Sequence, residues 1–452
     1  MMLCFPLPGD SPIEANPEFL RNLRLEFSLH RLIGLPLIMA LVLIATRLAT
    51  ETNTSLGAAA SIMAFILLIL WGTRMSAEAV MSEVENLTWD TQRLSSMTSW
   101  GMTWGKLIGS TSFAWYGALW LVPIMAFWPK DAIMSAGEMV ITSIAAQAAS
   151  MLFSMLFLRL NPTGIRGLVT FSQVIGIVVG LGVLGSLFPL QSITSHILWY
   201  GISFEADRFT FASLCILAAW TIAGIHHLMR AELKYADPPY VWSAFLIFSI
   251  FYSAGFAEMS PFMTIEAPGL AMAMTIAFTT SVLLTELVAL LEPKGFLSLR
   301  LWLTRLSEGH SETANTATPC WFISIITTAV LCLAAAMFHI ASQNPQALPV
   351  LAAIFLFLLR DVGLIIFFTL SGRPFSGTLT SLVYLGILYL LLPALLLSAN
   401  LERFLPIFIP DIAGNGTSPL MSLAPPALQA VFTWSLMAWR WRNIRIKITS
   451  ET

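Results

Sequence analysis

Long apolar runs recur along this chain, and short polar stretches separate them. A helix needs about 20 apolar residues to cross the hydrocarbon core of a bilayer, and backbone polar groups in lipid must be hydrogen-bonded within the protein. The runs are too long and too uniformly apolar for strands of a membrane barrel. The pattern therefore predicts an all-α integral membrane protein, a polytopic bundle of about twelve transmembrane helices. We expect these helices at residues 32–50, 57–73, 107–128, 135–158, 167–187, 209–229, 240–258, 268–291, 320–342, 347–370, 379–400 and 425–441.

Composition and charge support a membrane protein and orient it. Of the 452 residues, 57% are hydrophobic and 11% are charged, whereas a soluble domain carries about 25% charged residues. This composition excludes a disordered chain, a secreted disulfide scaffold and a nucleic-acid binder. If the N-terminus is cytoplasmic, nineteen of the 23 basic residues lie on the cytoplasmic side, and the exceptions are Arg47, Lys130, Arg208 and Arg403. Because Lys and Arg are enriched in cytoplasmic loops, we expect both termini in the cytoplasm.

The polar stretches divide the chain into three parts. Residues 1–31 combine apolar and charged positions in a pattern typical of a helix lying in the membrane interface, and they lack the features of a signal peptide. A first transmembrane half, 32–230, contains the long cytoplasmic segment 74–106, and a second half follows at 231–452. Related halves are common in transporters. Only four predicted helices follow the cytoplasmic segment 292–318, however, so an internal duplication stays open.

Arg360 and Asp361 are adjacent in the apolar run 347–370. They could lie inside a span, or they could mark the point where the span ends and a cytoplasmic segment, 360–378, begins. We favour the second interpretation because it avoids burying two charges in the membrane. Other acidic residues in or near the predicted spans are few: Glu138, Glu258 and Glu286, of which Glu286 is the deepest.

The sequence contains no catalytic motif that we recognise. There is no H-E-x-x-H and no G-x-S-x-G, and the stretch from Gly101 to Leu107 is one residue short of a phosphate-binding loop. His226 and His227 have no carboxylate or Cys partner at ligand spacing, so we interpret them as an interface-facing pair. The cysteines are interpreted as small apolar residues in packing: Cys4, Cys215, Cys320 and Cys332. We therefore assign no catalytic, cofactor-binding or metal-binding residue and do not expect an enzyme.

The cytoplasmic segment 78–106 carries the clearest functional signal. Its first part is rich in acidic residues. Leu87, Leu94 and Met97 are separated by seven and then three positions, a spacing that is typical of residues on one face of a helix. Such a helix between two spans could receive force from a soluble motor. On residue pattern alone, we favour an ordinary connecting loop over such a helix.

Two stretches resemble the permease subunits of type-2 ABC exporters. One is Glu-x-x-Thr-Trp-Asp-x-x-Arg-Leu-Ser followed by Gly-Lys-Leu-x-Gly, within residues 83–109. The other is Asn-Pro-Glu-Phe-Leu-Arg-Asn-Leu-Arg at residues 16–24, which looks like the helix that these permeases place before their first span. The resemblance covers roughly residues 16–128. The chain departs from the family in its helix count, because a typical member has about six spans.

The resemblance implies a coupling helix at residues 83–97 and a connecting helix at 17–31. It also implies that ATP and Mg²⁺ are bound by a separate ATPase subunit, expected in two copies, in the bacterial inner membrane. The residues expected to contact that partner and to orient the coupling helix are Glu83, Glu85, Asp90 and Arg93, with Arg360 and Asp361 doing the same in the second half. Further expected partners are membrane lipids and a second permease copy or an accessory protein, but no nucleic acid. Because few charges face the presumed pathway, an apolar or amphipathic substrate is favoured.

Three other functions stay open at this stage. A secondary, ion-coupled carrier would be independent of any ATPase. A membrane-embedded enzyme acting on lipid-linked substrates would need clustered acidic or His residues at one membrane face, whereas Asp207, Glu402 and Asp411 are scattered. A scaffold without transport activity is the third possibility, since abundant Trp and Phe suit lipid-facing and interface positions equally well.

Overall fold

The computed structural model describes residues 16–50, 53–94, 97–127, 133–161, 166–193, 196–235, 237–259, 269–370, 374–411 and 419–451. Cys4, Lys130 and the first half of the predicted segment 1–31 lie outside the described residues. The chain divides into two compact units. The first comprises Met1–Ile197 with Phe204–Tyr235, and the second comprises Leu198–Ser203 with Ala236–Thr452. The functional division of the chain into two halves at residue 231 stays a prediction.

The first unit is a bundle of long apolar helices with two short helices at one end. Its helices are α1 (Pro17–Glu26), α2 (Leu29–Ala49), α3 (Asn53–Ala64), a π-helical segment (Phe65–Trp71), α4 (Gly72–Glu85), α5 (Trp89–Arg93), α6 (Ser99–Phe127), α7 (Ile133–Leu160), α8 (Arg166–Ile193) and α9 (Ala206–Glu232).

The outer helices of this unit expose apolar side chains. In α2, Leu37, Leu41 and Leu48 are 62%, 63% and 83% exposed, and Met39 is the one buried residue. The helix starts where the Ser28 hydroxyl accepts a hydrogen bond from the Arg31 N–H, which caps its first turn. An apolar helix that faces outward is stable when lipid rather than water surrounds it.

The interior of the first unit is built on α7, which is rich in small residues. Ala145, Ala146, Ala148 and Ala149 are all buried, so neighbouring helices contact α7 on every side. Small residues allow close approach of helices in a membrane, where packing rather than the hydrophobic effect drives association. The Ser150 hydroxyl adds a hydrogen bond to the Thr73 carbonyl of α4 at 2.8 Å.

The π-helical segment Phe65–Trp71 lies between α3 and α4 and carries one residue more per turn than an α-helix. Side chains of two neighbouring helices bond to its carbonyl groups. Gln147 Nε2 donates to Leu68 O at 2.9 Å, and Gln173 Nε2 donates to Leu70 O at 3.1 Å. Both glutamine side chains are thereby satisfied at a depth where water is scarce.

The second unit contains the remaining long helices and two shorter helices, Phe296–Ser307 and Ser311–Thr316, that lie between two of them. Its helices are α10 (Tyr240–Ala254), a 3₁₀ segment (Ala257–Met259), α11 (Gly269–Leu291), α12 (Phe296–Ser307), α13 (Ser311–Thr316), α14 (Cys320–Ala341), α15 (Ala347–Thr369), α16 (Pro374–Gly386), a π-helical segment (Ile387–Leu391), α17 (Leu392–Ser398), a 3₁₀ segment (Glu402–Ile407) and α18 (Pro419–Glu451). Helix α15 lies at the centre, packed on α11, α14, α16 and α18.

The start of α14 is capped by a carboxylate from the preceding polar segment. Glu292 accepts hydrogen bonds from the backbone N–H groups of Cys320 and Trp321 at 3.0 and 3.1 Å. Burial raises the pKa of Glu292, while these hydrogen bonds and the charge of Lys294 oppose the rise. Burial lowers the pKa of Lys294 to about 8. The segment joining α11 to α14 is therefore held to the bundle by buried polar groups.

Each of the twelve predicted spans coincides with a helical region, but the described part of the chain contains nine helices that are long and apolar enough to cross a membrane. They are Leu29–Ala49, Ser55–Glu85, Ser99–Ala126, Ile133–Leu160, Ala206–Glu232, Gly269–Leu291, Cys320–Ala341, Ala347–Thr369 and Phe375–Ser398. The apolar helix α10 has 15 residues, or about 22 Å of length, against about 30 Å of hydrocarbon. The all-α, multi-pass architecture is confirmed, and the count of twelve stays a prediction.

Residues 188–208, which separate two of the predicted spans, contain ordered secondary structure. Helix α8 continues to Ile193, and the strands β1 (His196–Trp199) and β2 (Ile202–Glu205) then form a hairpin. The two turn residues, Tyr200 and Gly201, have φ angles of 50° and 72°. Positive φ at both central residues is typical of a type I′ turn, whose twist matches that of the strands. The hairpin was not evident from the sequence, because its strands have four residues each and Tyr occupies the first turn position.

Gly377 in α16 lies directly against the backbone of α15. A Cβ atom at this position would lie 2.6 Å from Phe368 O and 2.8 Å from Thr369 Cα. Because backbone atoms cannot rotate away as a side chain can, we expect Gly377→Ala to lower the free energy of unfolding by about 1–3 kcal/mol. Thermal unfolding of the detergent-solubilised variant measures this effect.

Gly386, at the other end of α16, provides the matched control. A Cβ atom there would have no other atom within 4 Å. The same substitution, Gly386→Ala, should be neutral or stabilising by up to about 1 kcal/mol. Equal losses of stability in the two variants would contradict the close packing of α15 and α16 at Gly377.

Candidate functional site

A group of polar and charged side chains surrounds Lys106, the eighth residue of α6, whose side chain is fully buried. Its Nζ atom donates to Glu18 Oε1 of α1 at 3.0 Å, to Gln92 Oε1 of α5 at 2.8 Å and to Glu83 Oε2 of α4. With Arg21, these four residues form what we call the Lys106 cluster. One ammonium group thus connects four helices at the end of the first unit that is predicted to be cytoplasmic.

The charges of the Lys106 cluster balance. Arg21 pairs with Glu83 and, at 3.2 Å, with Glu18, so two carboxylates face two cations. Gln92 uses both ends of its amide, since its Nε2 also donates to Glu83 Oε1 at 2.7 Å. The ring of Trp89 lies 5.2 Å from the Lys106 ammonium and covers it. A neutral, fully hydrogen-bonded group avoids the large penalty of an unpaired buried charge.

Glycines in α6 explain how α1 comes close enough to supply Glu18. Gly101, Gly105 and Gly109 recur every four residues and so lie on one face of α6. A Cβ atom at Gly105 would lie 2.8 Å from Glu18 Cβ, and one at Gly109 would lie 2.9 Å from Asn22 Cβ. Side chains at these positions would push α1 away and separate Glu18 from Lys106.

The turn between α4 and α5 carries an unusual backbone conformation. Leu87 has a φ angle of 58°, its N–H bonds to Val84 O, and the following Thr88 N–H bonds to Glu83 O. This is the Schellman arrangement that ends many helices, but with leucine where glycine is usual. Its side chain is 86% exposed, and that of Leu94 at the other end of α5 is 89% exposed. Two apolar side chains therefore project on either side of a short helix.

Helix α5 is also tied to the ends of α7 and α9. Arg93 Nε donates to Glu232 O at 3.0 Å, and the Glu232 carboxylate pairs with Arg159 at the same distance. Nearby, Ser99 Oγ lies 3.0 Å from His226 Nε2. These elements enclose a cavity of about 310 Å³. The short helix is thus fixed to most of the helix ends at this side of the first unit.

The predicted coupling residues of the first unit occupy different environments. Glu83 is buried in the Lys106 cluster, where it can orient α5 but cannot reach a partner, while Glu85 and Asp90 are exposed. Arg93 is partly buried by its bonds to Asp90 and Glu232.

The coupling helix predicted at 83–97 is shorter than expected, because the positive φ of Leu87 ends α4 and α5 has five residues. Residues 95–96 lie outside the described residues. The predicted connecting helix 17–31 likewise ends at Glu26, before α2 begins at Leu29.

The preferred interpretation of Arg360 and Asp361 is wrong. Helix α15 runs without a break from Ala347 to Thr369, and both residues lie in its second half with 1% and 0% exposure. They are therefore inside a membrane-length helix rather than at the start of a cytoplasmic segment. Their burial also leaves no surface through which these side chains could contact a soluble subunit.

Neighbouring polar groups compensate the two buried charges. Arg360 Nε pairs with Asp361 Oδ1 at 2.7 Å, and one of its Nη atoms donates to Gln429 Oε1 of α18 at 2.9 Å. Tyr389, in the π-helical segment of the second unit, donates its hydroxyl to Asp361 Oδ2 at 2.6 Å. Glu286 of α11 interacts electrostatically with both charges. We call these five residues the Arg360 cluster.

Lys106, the central residue of the Lys106 cluster, was not among the candidate residues chosen from the sequence. Lys106 lies about two turns inside α6, and a lysine at such a position needs a countercharge. The acidic partners are 88 and 23 residues away along the chain. Their identity therefore depends on the fold.

Comparison with known proteins gives no match: no family model, no curated protein and no solved structure is similar to this chain. Any functional assignment consequently depends on the residues and geometry described above.

Proposed function

We propose that this chain is the membrane-spanning subunit of an ATP-driven exporter of the type-2 ABC class, working in the bacterial cytoplasmic membrane. The observation that carries the proposal is the Lys106 cluster. It joins a short helix at the end of the bundle, α5, to the ends of α1, α4 and α6 through buried charges. Through these buried contacts, a force applied to α5 is transmitted to the long helices, because the connection between them is rigid.

In the proposed cycle, a separate ATPase subunit binds ATP and Mg²⁺ and supplies the energy. Its movement presses on α5 and the flanking Leu87 and Leu94, whose exposed apolar side chains fit a cleft on a partner surface. Glu85 and Asp90 are exposed beside them and set the charge of the contact. Displacement of α5 then moves α1, α4 and α6 together and opens a path for an apolar or amphipathic substrate.

The first test is purification of the tagged chain from its native membrane in a mild detergent. We expect a stoichiometric ATPase subunit with an intact phosphate-binding loop to co-purify with the chain. The double variant Leu87→Glu/Leu94→Glu should lose that subunit while keeping its unfolding temperature, because the two side chains are 86% and 89% exposed. Glu308→Lys, also at an exposed position, is the control and should retain the subunit. A chain that purifies alone and monodisperse would exclude the motor and the proposal with it.

The Arg360 cluster favours a second candidate, a secondary carrier coupled to an ion. Ionisable groups inside a membrane helix often mark an ion pathway, and Glu286, Arg360 and Asp361 occur together in this unit. A carrier would transport its substrate without an ATPase and would stop when a protonophore collapses the proton gradient. Transport that depends on the ATPase and resists the protonophore would exclude it.

A further inference from the structure

An apolar cavity of about 590 Å³ lies in the second unit between α12, α14, α15 and α18. Four tryptophans line it: Trp302, Trp321, Trp434 and Trp441. The remaining lining residues are apolar except for Arg442. Between Trp434 and Arg442, α18 advances about 12 Å, so the cavity extends from the interior of the bundle to its basic end. Such a volume suits a hydrocarbon chain.

A second cavity of about 290 Å³ adjoins the first, and Leu303 and Trp441 line both. Its character is different, because its lining residues include Arg300 and Arg445 together with Thr304 and Ser307 of α12. Among the described residues that line either cavity there is no carboxylate. The two cavities together combine an apolar compartment with a cationic one.

The indole N–H of Trp321, one of the tryptophans that line the apolar cavity, is a further feature of the site. Its side chain is 6% exposed, and its indole Nε1 has no hydrogen-bond partner among the described residues. By contrast, Trp434 donates its indole N–H to Leu359 O at 2.9 Å. A buried indole N–H normally has an acceptor. An acceptor brought by a ligand, such as an ester carbonyl, would satisfy it.

We infer that the second unit binds an anionic phospholipid at this place. The acyl chain occupies the tryptophan-lined cavity, and the phosphate of the headgroup lies between Arg300 and Arg445, with Arg442 at the boundary. Guanidinium groups bind phosphate oxygens through charge-assisted hydrogen bonds. Leu297 and Leu301 of α12 are exposed, which places this helix in contact with surrounding lipid.

Charge complementarity favours a lipid with a net negative headgroup. Basic pockets between membrane helices on the cytoplasmic side are typical sites for anionic headgroups, and positive charge predicts that α12 and the end of α18 face the cytoplasm. A zwitterionic lipid would bring an ammonium group close to three arginines. This inference does not depend on an ATPase partner, so it can fail or hold independently of the proposed function.

The test is lipid binding to the full chain, delipidated in dodecyl maltoside and followed by native mass spectrometry. We expect dioleoyl phosphatidylglycerol to bind roughly tenfold more tightly than dioleoyl phosphatidylcholine. The variant Arg300→Gln/Arg445→Gln should lower the affinity for phosphatidylglycerol to that for phosphatidylcholine. Arg403→Gln, an exposed arginine elsewhere in the same unit, is the matched control and should bind as the unchanged protein does.

Two further probes separate the parts of the site. Dihexanoyl phosphatidylglycerol, with the same headgroup and short chains, should bind roughly tenfold more weakly than the dioleoyl lipid, because it fills less of the apolar cavity. Glycerol phosphate, which has no acyl chain, should not displace the bound lipid. Equal affinity for the two dioleoyl lipids, unchanged binding by the double variant, or displacement by glycerol phosphate would each overturn the inference.

Discussion

Replacement of Lys106 by methionine should lower the free energy of unfolding by about 3–5 kcal/mol, which is the usual effect of removing one partner from a buried ion pair. The substitution keeps the length of the side chain but leaves Glu18 and Glu83, both at most 5% exposed, with Arg21 as their shared cation. The cluster would change from neutral to a net charge of minus one. Denaturant or thermal unfolding of the detergent-solubilised protein measures the loss.

Two further variants make the Lys106 prediction specific. Lys234→Met removes an exposed lysine from the same unit and should change stability by no more than about 0.5 kcal/mol. Adding Glu18→Gln to Lys106→Met restores neutrality and should recover part of the lost stability, whereas Glu18→Gln alone should be destabilising. If Lys106→Met is as stable as Lys234→Met, the ammonium group does not hold the four helices together.

Asp361→Asn should produce a loss of similar size, about 3–5 kcal/mol, in the second unit. Asparagine has nearly the same shape as aspartate, so packing is preserved while the carboxylate that Arg360 Nε pairs with is removed. Arg360 is 1% exposed and has a second Nη atom without a partner among the described residues, so its charge would be poorly compensated. Thermal unfolding in detergent measures the effect.

A double-mutant cycle separates loss of the ion pair from loss of shape. Arg360→Met/Asp361→Asn removes both charges and should be more stable than Asp361→Asn alone, because no unpaired charge stays buried. Glu402→Gln, at an exposed position in the same unit, is the control and should be neutral within about 0.5 kcal/mol. Additive effects of the two single changes would mean that Arg360 and Asp361 do not stabilise each other.

Sequence reasoning located the helices well because span length and apolarity are local properties. The same reasoning failed at Arg360 and Asp361, because it considered the free-energy cost of burying two charges but not the polar groups that offset this cost. That compensation comes from Tyr389 and Gln429, which are 28 and 69 residues away from the groups they bond to. No pattern within the apolar run could reveal them.

The candidate site shows the same division between local and distant information. The acidic and apolar residues around α5 were recognised, and Glu83 was chosen both for partner contact and for orienting the helix, although its burial leaves it only the second role. The early end of α4 could not be predicted, since it depends on Leu87 adopting a φ angle that leucine seldom adopts. The contact of α1 with α6 had a visible basis in Gly105 and Gly109, but the direction from which α1 approaches is a property of the fold.

The π-helical segments Phe65–Trp71 and Ile387–Leu391 have a consequence for the rotational register of their helices. Each residue of an α-helix turns the chain by about 100°. One surplus residue therefore re-aims every side chain beyond it by about that angle. In the second unit the surplus lies where Tyr389 meets Asp361. The direction in which Tyr389 points toward Asp361 therefore depends on the rotational register that the π-helical segment sets, and not only on the position of the helix axis.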